Sequence, residues 1–152
     1  MSASGLVSKI RIQAHLSFRI VDTSLDPDRV SDALSIAPTR FGRRGEPISK
    51  RVPKPRAKGF WILDSAQELA RSEPFNAHAI WLLDRLEPVA AAIQRLAQEN
   101  EVVDLSAGIF TDSQHGGPLI DASVLRRLGA LDLTLCLDLY PDIFDDAVVD
   151  NQ

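Results

Sequence analysis

Three arginines within five residues, Arg40, Arg43 and Arg44, with Glu46 just after them, are the residues best placed to do chemistry. A guanidinium fork binds phosphate or carboxylate through paired hydrogen bonds. A carboxylate beside such a clamp could serve as a general base. That gives one reading, an enzyme acting on an anionic substrate, which lacks a second catalytic group at a recognisable spacing. The same residues also belong to a longer basic stretch, Ala37 to Trp61, that adds Lys50, Arg51, Lys54, Arg56 and Lys58. Eight cations against one acid give this stretch +7, while the other nine cations and twenty acids leave −11 elsewhere. A segregated charge of that size makes a local positive field on a net negative molecule. It suits a protein partner or a small anion meeting Arg40, Arg43, Arg44, Glu46, Lys50 and Arg51. The plainer reading is that Lys, Arg and Pro here blunt a sheet edge against aggregation.

Other reactive side chains are isolated. His15, His78 and His115 have no ligand-type partner three or four residues away, so no metal is expected. His15 suits a cross-strand pair with Asp132 or Asp138. His115-Gly116-Gly117 is similar to an esterase oxyanion loop, but no Gly-x-Ser-x-Gly accompanies it. Cys136 alternates with Asp132 and Asp138, a setting that opposes a nucleophilic thiolate. No catalytic residue and no cofactor are assigned.

Two nucleic-acid signatures fail on geometry. Lys58-Gly59-Phe60 matches the start of an RNP1 strand, whose module needs aromatic rings on an open sheet face. Phe18, however, shares its parity with Leu16 and Ile20, and Trp61 stands where a small residue belongs. Gly42-Arg43-Arg44-Gly45 has the form of a GxxG clamp, which joins two helices, whereas a strand is expected here. With an isoelectric point near 5.3, RNA binding is the third-ranked reading.

These residues need a scaffold, and the pattern supplies one. From Lys9 to Ile20 the chain alternates strictly, with Ile10, Ile12, Ala14, Leu16, Phe18 and Ile20 on one side, the mark of a half-buried strand. Asp26-Pro27 starts a helix, with Val30, Ala33, Leu34 and Ala37 as its stripe and Pro38 as its stop. The basic stretch reads as a hairpin of Glu46 to Lys50 and Gly59 to Leu63, with Pro53 and Pro55 keeping Arg51 to Lys58 irregular. Ile80, Leu83, Leu86, Val89, Ile93, Leu96 and Ala97 trace a long helical pattern that Pro88 must break near Glu87. A strand through Val103 to Ile109 and a loop over Asp112 to Pro118 follow. Asp121 then caps a short helix ending at Gly129. The last strand places Leu131, Leu133, Leu135, Leu137 and Leu139 inward. The order β-α-β-β-α-β-α-β suits an α+β, two-layer sandwich of ferredoxin-like plan. Its sheet is expected to be mainly antiparallel, with helices on the face of Phe18 and Leu135. His15, Arg19, Asp132 and Asp138 are expected on the other face.

A chain of 152 residues fits one domain, 1–152, with residues 1–8 frayed and an acidic tail over 141–152 that could fold back on the basic stretch. Hydrophobic content of 45% and charged content of 25% are those of an ordinary globular protein. No apolar run reaches the roughly 20 residues that span a bilayer, and the N-terminus lacks the layout of a secretory signal. Cys136 is the sole cysteine, so no internal disulfide can form, and a cytoplasmic setting is expected.

Together, the first strand leading to Leu25-Asp26-Pro27, then Ile36-Ala37-Pro38-Thr39, Gly45-Glu46, Trp61, Leu86-Glu87-Pro88 and the closing strand to Tyr140 carry a likeness to a known family. The chain resembles the bacterial family named domain of unknown function 4279 over nearly its whole length. The resemblance implies no activity and no catalytic residues. An immunity-protein-like role would be an analogy with other small α+β domains. The first expectation is therefore a non-enzymatic cytosolic module that binds a protein or anion through the basic hairpin and leaves room for a homodimer.

Overall fold

A computed structural model describes residues 11–112 and 116–141, and the sheet at its centre is built outward from one strand. That strand, β1 (Ile12–Asp22), pairs antiparallel on one side with β3 (Gly59–Asp64) and on the other with β4 (Val102–Thr111). A short β2 (Arg40–Gly42) extends β3 antiparallel, and β5 (Thr134–Pro141) extends β4 in parallel. The spatial order is β2-β3-β1-β4-β5, a mostly antiparallel sheet in a mixed α+β chain.

Four helices bury one face of it: α1 (Pro27–Leu34), α2 (Phe75–Leu86), α3 (Ala90–Glu99) and α4 (Ala122–Ala130). The strand parity read from the sequence holds in β1, where Ala14, Leu16, Phe18 and Ile20 are completely or almost completely buried. They meet Val30, Leu34, Phe75, Ala79, Leu82, Leu83, Leu86 and Ile93 from the helices. Phe18 sits edge-on to Trp61 at 6.0 Å, and the Trp61 indole N–H donates to Ser31 Oγ at 3.0 Å. The largest ring in the core thus has its polar atom satisfied.

Several boundaries differ from the expected ones. Asp26 caps α1 by accepting the Asp28 N–H, and Pro27 takes the first turn, as the pattern required. The helix nevertheless stops at Leu34, short of Pro38, because Ser35 turns left-handed (φ 53°) and Ile36 N–H reaches back to Ser31 O. Ala37 is left outside the helix and exposed, and Ala33, within it, lies on the exposed side. Pro88 does break the long helix, as a 3-10 turn over Glu87–Val89 between α2 and α3. On α2 the inward face is His78, Ala79, Leu82, Leu83 and Leu86, while Ile80 faces solvent at 40% exposure.

The end of the chain departs most. α4 runs to Ala130, and Leu131 is buried at its C-cap rather than in a strand. Asp132 lies in the following turn at φ 53°, so it cannot pair with His15 across the sheet. Leu135, Leu137 and Leu139 do share the helix-side face, opposite Leu105, Ala107 and Ile109. Leu137 and Leu139 are exposed all the same, at 51% and 67%, since the helices lie over β1, β3 and β4 and leave the edge strand bare.

One polar cluster is sealed beneath the helices. Ser65 and His78 are fully buried, with Ser65 Oγ accepting the Leu16 N–H at 2.9 Å and meeting His78 Nδ1 at 2.7 Å. His78 Nε2 has no hydrogen-bond partner. Burial pushes the His78 imidazole below its usual 6.5, outweighing the Ala70 carbonyl that would raise it.

The α2 assignment predicts that Leu83→Ala lowers stability by about 2–5 kcal/mol in urea titration, and that Ile80→Ala costs under about 1 kcal/mol. Equal losses would restore the Ile80 stripe. His78 adds a pH signature. Its folded-state pKa is depressed, so below about 6.5 the unfolded chain binds the extra proton and stability falls as pH drops. The wild-type urea midpoint should therefore decline from pH 7.5 to 5 more steeply than that of His78→Asn. Parallel declines would remove His78 as the source.

Candidate partner-binding arm

The basic stretch is a hairpin, but not the expected one. Its first sheet strand is β2, at Arg40–Gly42, and not Glu46 to Lys50. Beyond Gly42 the chain leaves the sheet and forms a small hairpin of its own before rejoining at Gly59. Ser49 and Val52 exchange backbone hydrogen bonds at 3.0 and 3.2 Å, which puts Lys50 and Arg51 at the tip. Pro53 has no N–H to give, so the ladder skips it and resumes with Ile48 N–H to Lys54 O at 3.1 Å. Pro47 then faces Pro55, and Glu46 O accepts the Arg56 N–H at 2.8 Å.

Three of the eight cations fasten this arm to the body. The Arg43 guanidinium spans Asp28 at 2.7 Å and Asp26 at 3.2 Å, the two acids at the start of α1. These bonds, Asp28 first, hold Arg43 charged above its ordinary range. Asp26 lies below its ordinary range, chiefly through the Asp28 N–H and then through Arg43. Arg56 donates to Ile48 O at 2.8 Å and lies 4.7 Å above the Phe60 ring. Phe60 in turn lies across Gly42, where any Cβ would collide with the ring. Gly42 is therefore needed for packing, and not for close approach of a ligand. Lys58 pairs with Glu101, which also accepts from Thr23 Oγ1 and N–H. Lys58 first and Thr23 second bring Glu101 down to about 2.

The other five cations, Arg40, Arg44, Lys50, Arg51 and Lys54, have no ion pair among the described residues. Arg43 and Glu46, expected beside them as clamp and base, are already engaged. Glu46 Oε2 accepts the Arg43 N–H at 2.9 Å and closes the turn in which Gly45 takes φ 87°. Two clefts lie away from these five cations, one of them reaching Asp26, the partner of Arg43 at the root of the arm. One of about 440 Å³ is lined by Ser24, Arg29, Leu96 and Glu99, and one of about 520 Å³ by Ile12, Phe75 and Leu119. Arg44, Lys50, Arg51 and Lys54 are spread along the arm, while Arg40 stays in β2, where its charge helps to hold the Asp64 carboxyl low. Apolar side chains stand among them, with Phe41, Ile48 and Val52 exposed at 53%, 42% and 46%. Charge counting overlooked these three. Their irregular spacing on either side of Lys50-Arg51 was the available signal.

On the open face of the sheet, His15 pairs with Asp64 at 3.2 Å, because the β1–β3 register sets Ser17 opposite Asp64. Burial alone would raise Asp64, but the His15 and Ala66 hydrogen bonds outweigh it and hold the carboxyl low. The imidazole crosses Gly108, whose missing Cβ makes the space, and stacks 6.0 Å from Phe110. Phe110 stacks on Tyr140 at 4.7 Å and carries Arg71 at 5.0 Å from its ring. Arg19 forms a two-pronged pair with Asp104 at 2.9 and 2.7 Å. Rings do stand on this face, then, contributed by β3, β4 and β5 and missed when parity was judged from Phe18. Phe110 is nearly buried among its neighbours, and Asp64, Asp104 and Asp138 share the face. Cys136 is partly buried there, 4.0 Å from Asp138. Among the described residues no three His, Cys, Asp or Glu side chains gather as metal ligands. No described helix is long and apolar enough to cross a membrane. His115, residues 1–10, with Lys9 and Ile10 of the expected first strand, and the tail from Asp142 on lie outside the described residues.

Comparison with curated proteins and with solved structures finds no match. The family model for a domain of unknown function, DUF4279, matches residues 12–142, from the first strand through the last, and the chain belongs to that family.

Proposed function

We propose that this domain is a non-enzymatic binding module whose basic arm engages an acidic surface on another protein, in a cytoplasmic setting. The observation that carries the reading is the division of labour among the cations. Arg43, Arg56 and Lys58 fix the base of the arm, while Arg44, Lys50, Arg51 and Lys54 stay unpaired among the described residues beside exposed Ile48 and Val52. A finger fixed in advance loses less conformational entropy on binding than a free loop. Its apolar side chains offer contact area, and its cations offer steering and register. A small anion would need the cations to converge, and an enzyme would need an unengaged base among them. Neither need is met at Arg43 and Glu46. The scaffold is read as a ferredoxin-like plan, since β4-β1-β3-β2 follows the βαββαβ arrangement with β5 added outside it.

The test is titration of the full chain with polyglutamate, with inorganic phosphate and with a single-stranded RNA homopolymer at low and high salt. Polyglutamate should bind and should weaken with salt, because exposed charges are screened over about 8 Å at physiological ionic strength. Lys50→Glu with Arg51→Glu should reduce that affinity at least tenfold. Ile48→Ser with Val52→Ser should reduce it less and leave the salt dependence unchanged. Saturable binding of phosphate alone would turn the reading to a small anion, and tighter binding of RNA would turn it to nucleic acid.

A further inference from the structure

The edge of the sheet remote from the arm is built differently, and it goes beyond the arm reading and stands without it. β5 is eight residues long, and among the described residues nothing pairs with its outer side. Such an edge offers a row of unpaired backbone donors and acceptors. β2, at the opposite edge, is three residues long and continues into a cationic arm with prolines on both strands. β5 has no cation and no proline before its last residue, and it exposes Leu137 and Leu139 on its helix side.

We propose that β5 is the docking surface for a second copy of this chain, joined antiparallel about a two-fold axis through Leu137. The sequence is self-complementary about that residue. With Leu137 opposite its own copy, Leu135 meets Leu139 of the second copy on the helix side, and all three leucines gain apolar partners. On the open side Cys136 meets Asp138, and Thr134 meets Tyr140. The register pairs residues 134–140 and sets no charge against a like charge. The neighbouring registers that keep both helix layers on one side are poorer. An axis through Asp138 sets two carboxylates against each other, and an axis through Cys136 shortens the pairing to residues 134–138. The same geometry continues the Tyr140–Phe110–His15 stack up to the joint, where Tyr140 is 44% exposed. The resulting sheet runs from one basic arm through β5 and its copy to the other arm, so the two fingers stand at opposite ends.

Sedimentation of the full chain should give twice its 16.7 kDa mass at micromolar concentration. Leu137→Lys should give the single-chain mass with its circular dichroism retained. The register is tested separately by oxidation in a Cys136→Ser background. Leu137→Cys should crosslink two chains, because directly opposite Cα atoms lie about 4.5–5.5 Å apart. Asp138→Cys should not, its two copies being offset by about 7–8 Å or more. A single-chain mass at every concentration would overturn the proposal, as would a dimer indifferent to Leu137→Lys. Crosslinking by Asp138→Cys in place of Leu137→Cys would overturn the register and the complementarity argument with it. A monomer whose Leu137 and Leu139 amides exchange slowly would assign the edge to the chain's own residues 142–152 and overturn the second copy as occupant.

Discussion

Everything in this domain depends on β1 being paired on both sides at once. Its alternate residues Ala14, Leu16, Phe18 and Ile20 are buried, and its backbone is committed to β3 and β4 over most of its length. A strand in that position sets the register of β3 and β4 through its own hydrogen bonds, and these two carry β2 and β5; a one-residue slip would turn the apolar row toward solvent. The placement of both sheet edges follows. β2 and the arm lie two strands away on one side, and β5 lies two strands away on the other. Helix packing over the middle of the sheet covers what β1 organises and leaves both edges to serve other ends.

Much of this was legible because it depended on local rules. Strict alternation located β1, Asp26-Pro27 located the start of α1, and Pro88 located the break between α2 and α3. What could not be read were features fixed by long-range register. Nothing near His15 in sequence points to Asp64, and nothing near Arg43 points to two acids at the head of a helix. Both follow from where distant strands come to rest. The leucines of β5 show the same limit from another side. Their alternation announced a face correctly, but alternation carries no information about how far the opposing layer extends.

The basic stretch shows how charge counting and charge availability differ. Seen as composition it is one patch of +7, and the arginine triplet is its most suggestive part. Seen in space, the central arginine is neutralised by acids from α1, and Glu46 closes a turn. The exposed potential shifts outward to Lys50 and Arg51, already among the expected contact residues, though nothing in their spacing ranked them above the arginine triplet. Ion pairs at this exposure contribute little to stability. Their effect is to aim the arm, by holding its root in one orientation against the helix and the strand beside it.

The two prolines that face each other near the middle of the arm have a consequence for how the protein can change. Neither Pro47 nor Pro55 can donate a backbone hydrogen bond, and the residues between them face solvent. The distal part of the arm therefore contributes almost nothing to the packed layers and owes nothing to them. Its side chains can be exchanged, lengthened or recharged without disturbing the strands that launch it. Such a segment is a replaceable cassette. The fold stays constant, and descendants of one ancestor can diverge in what they recognise by rewriting residues 48–54, within the usual tolerance of exposed loops for insertion and substitution.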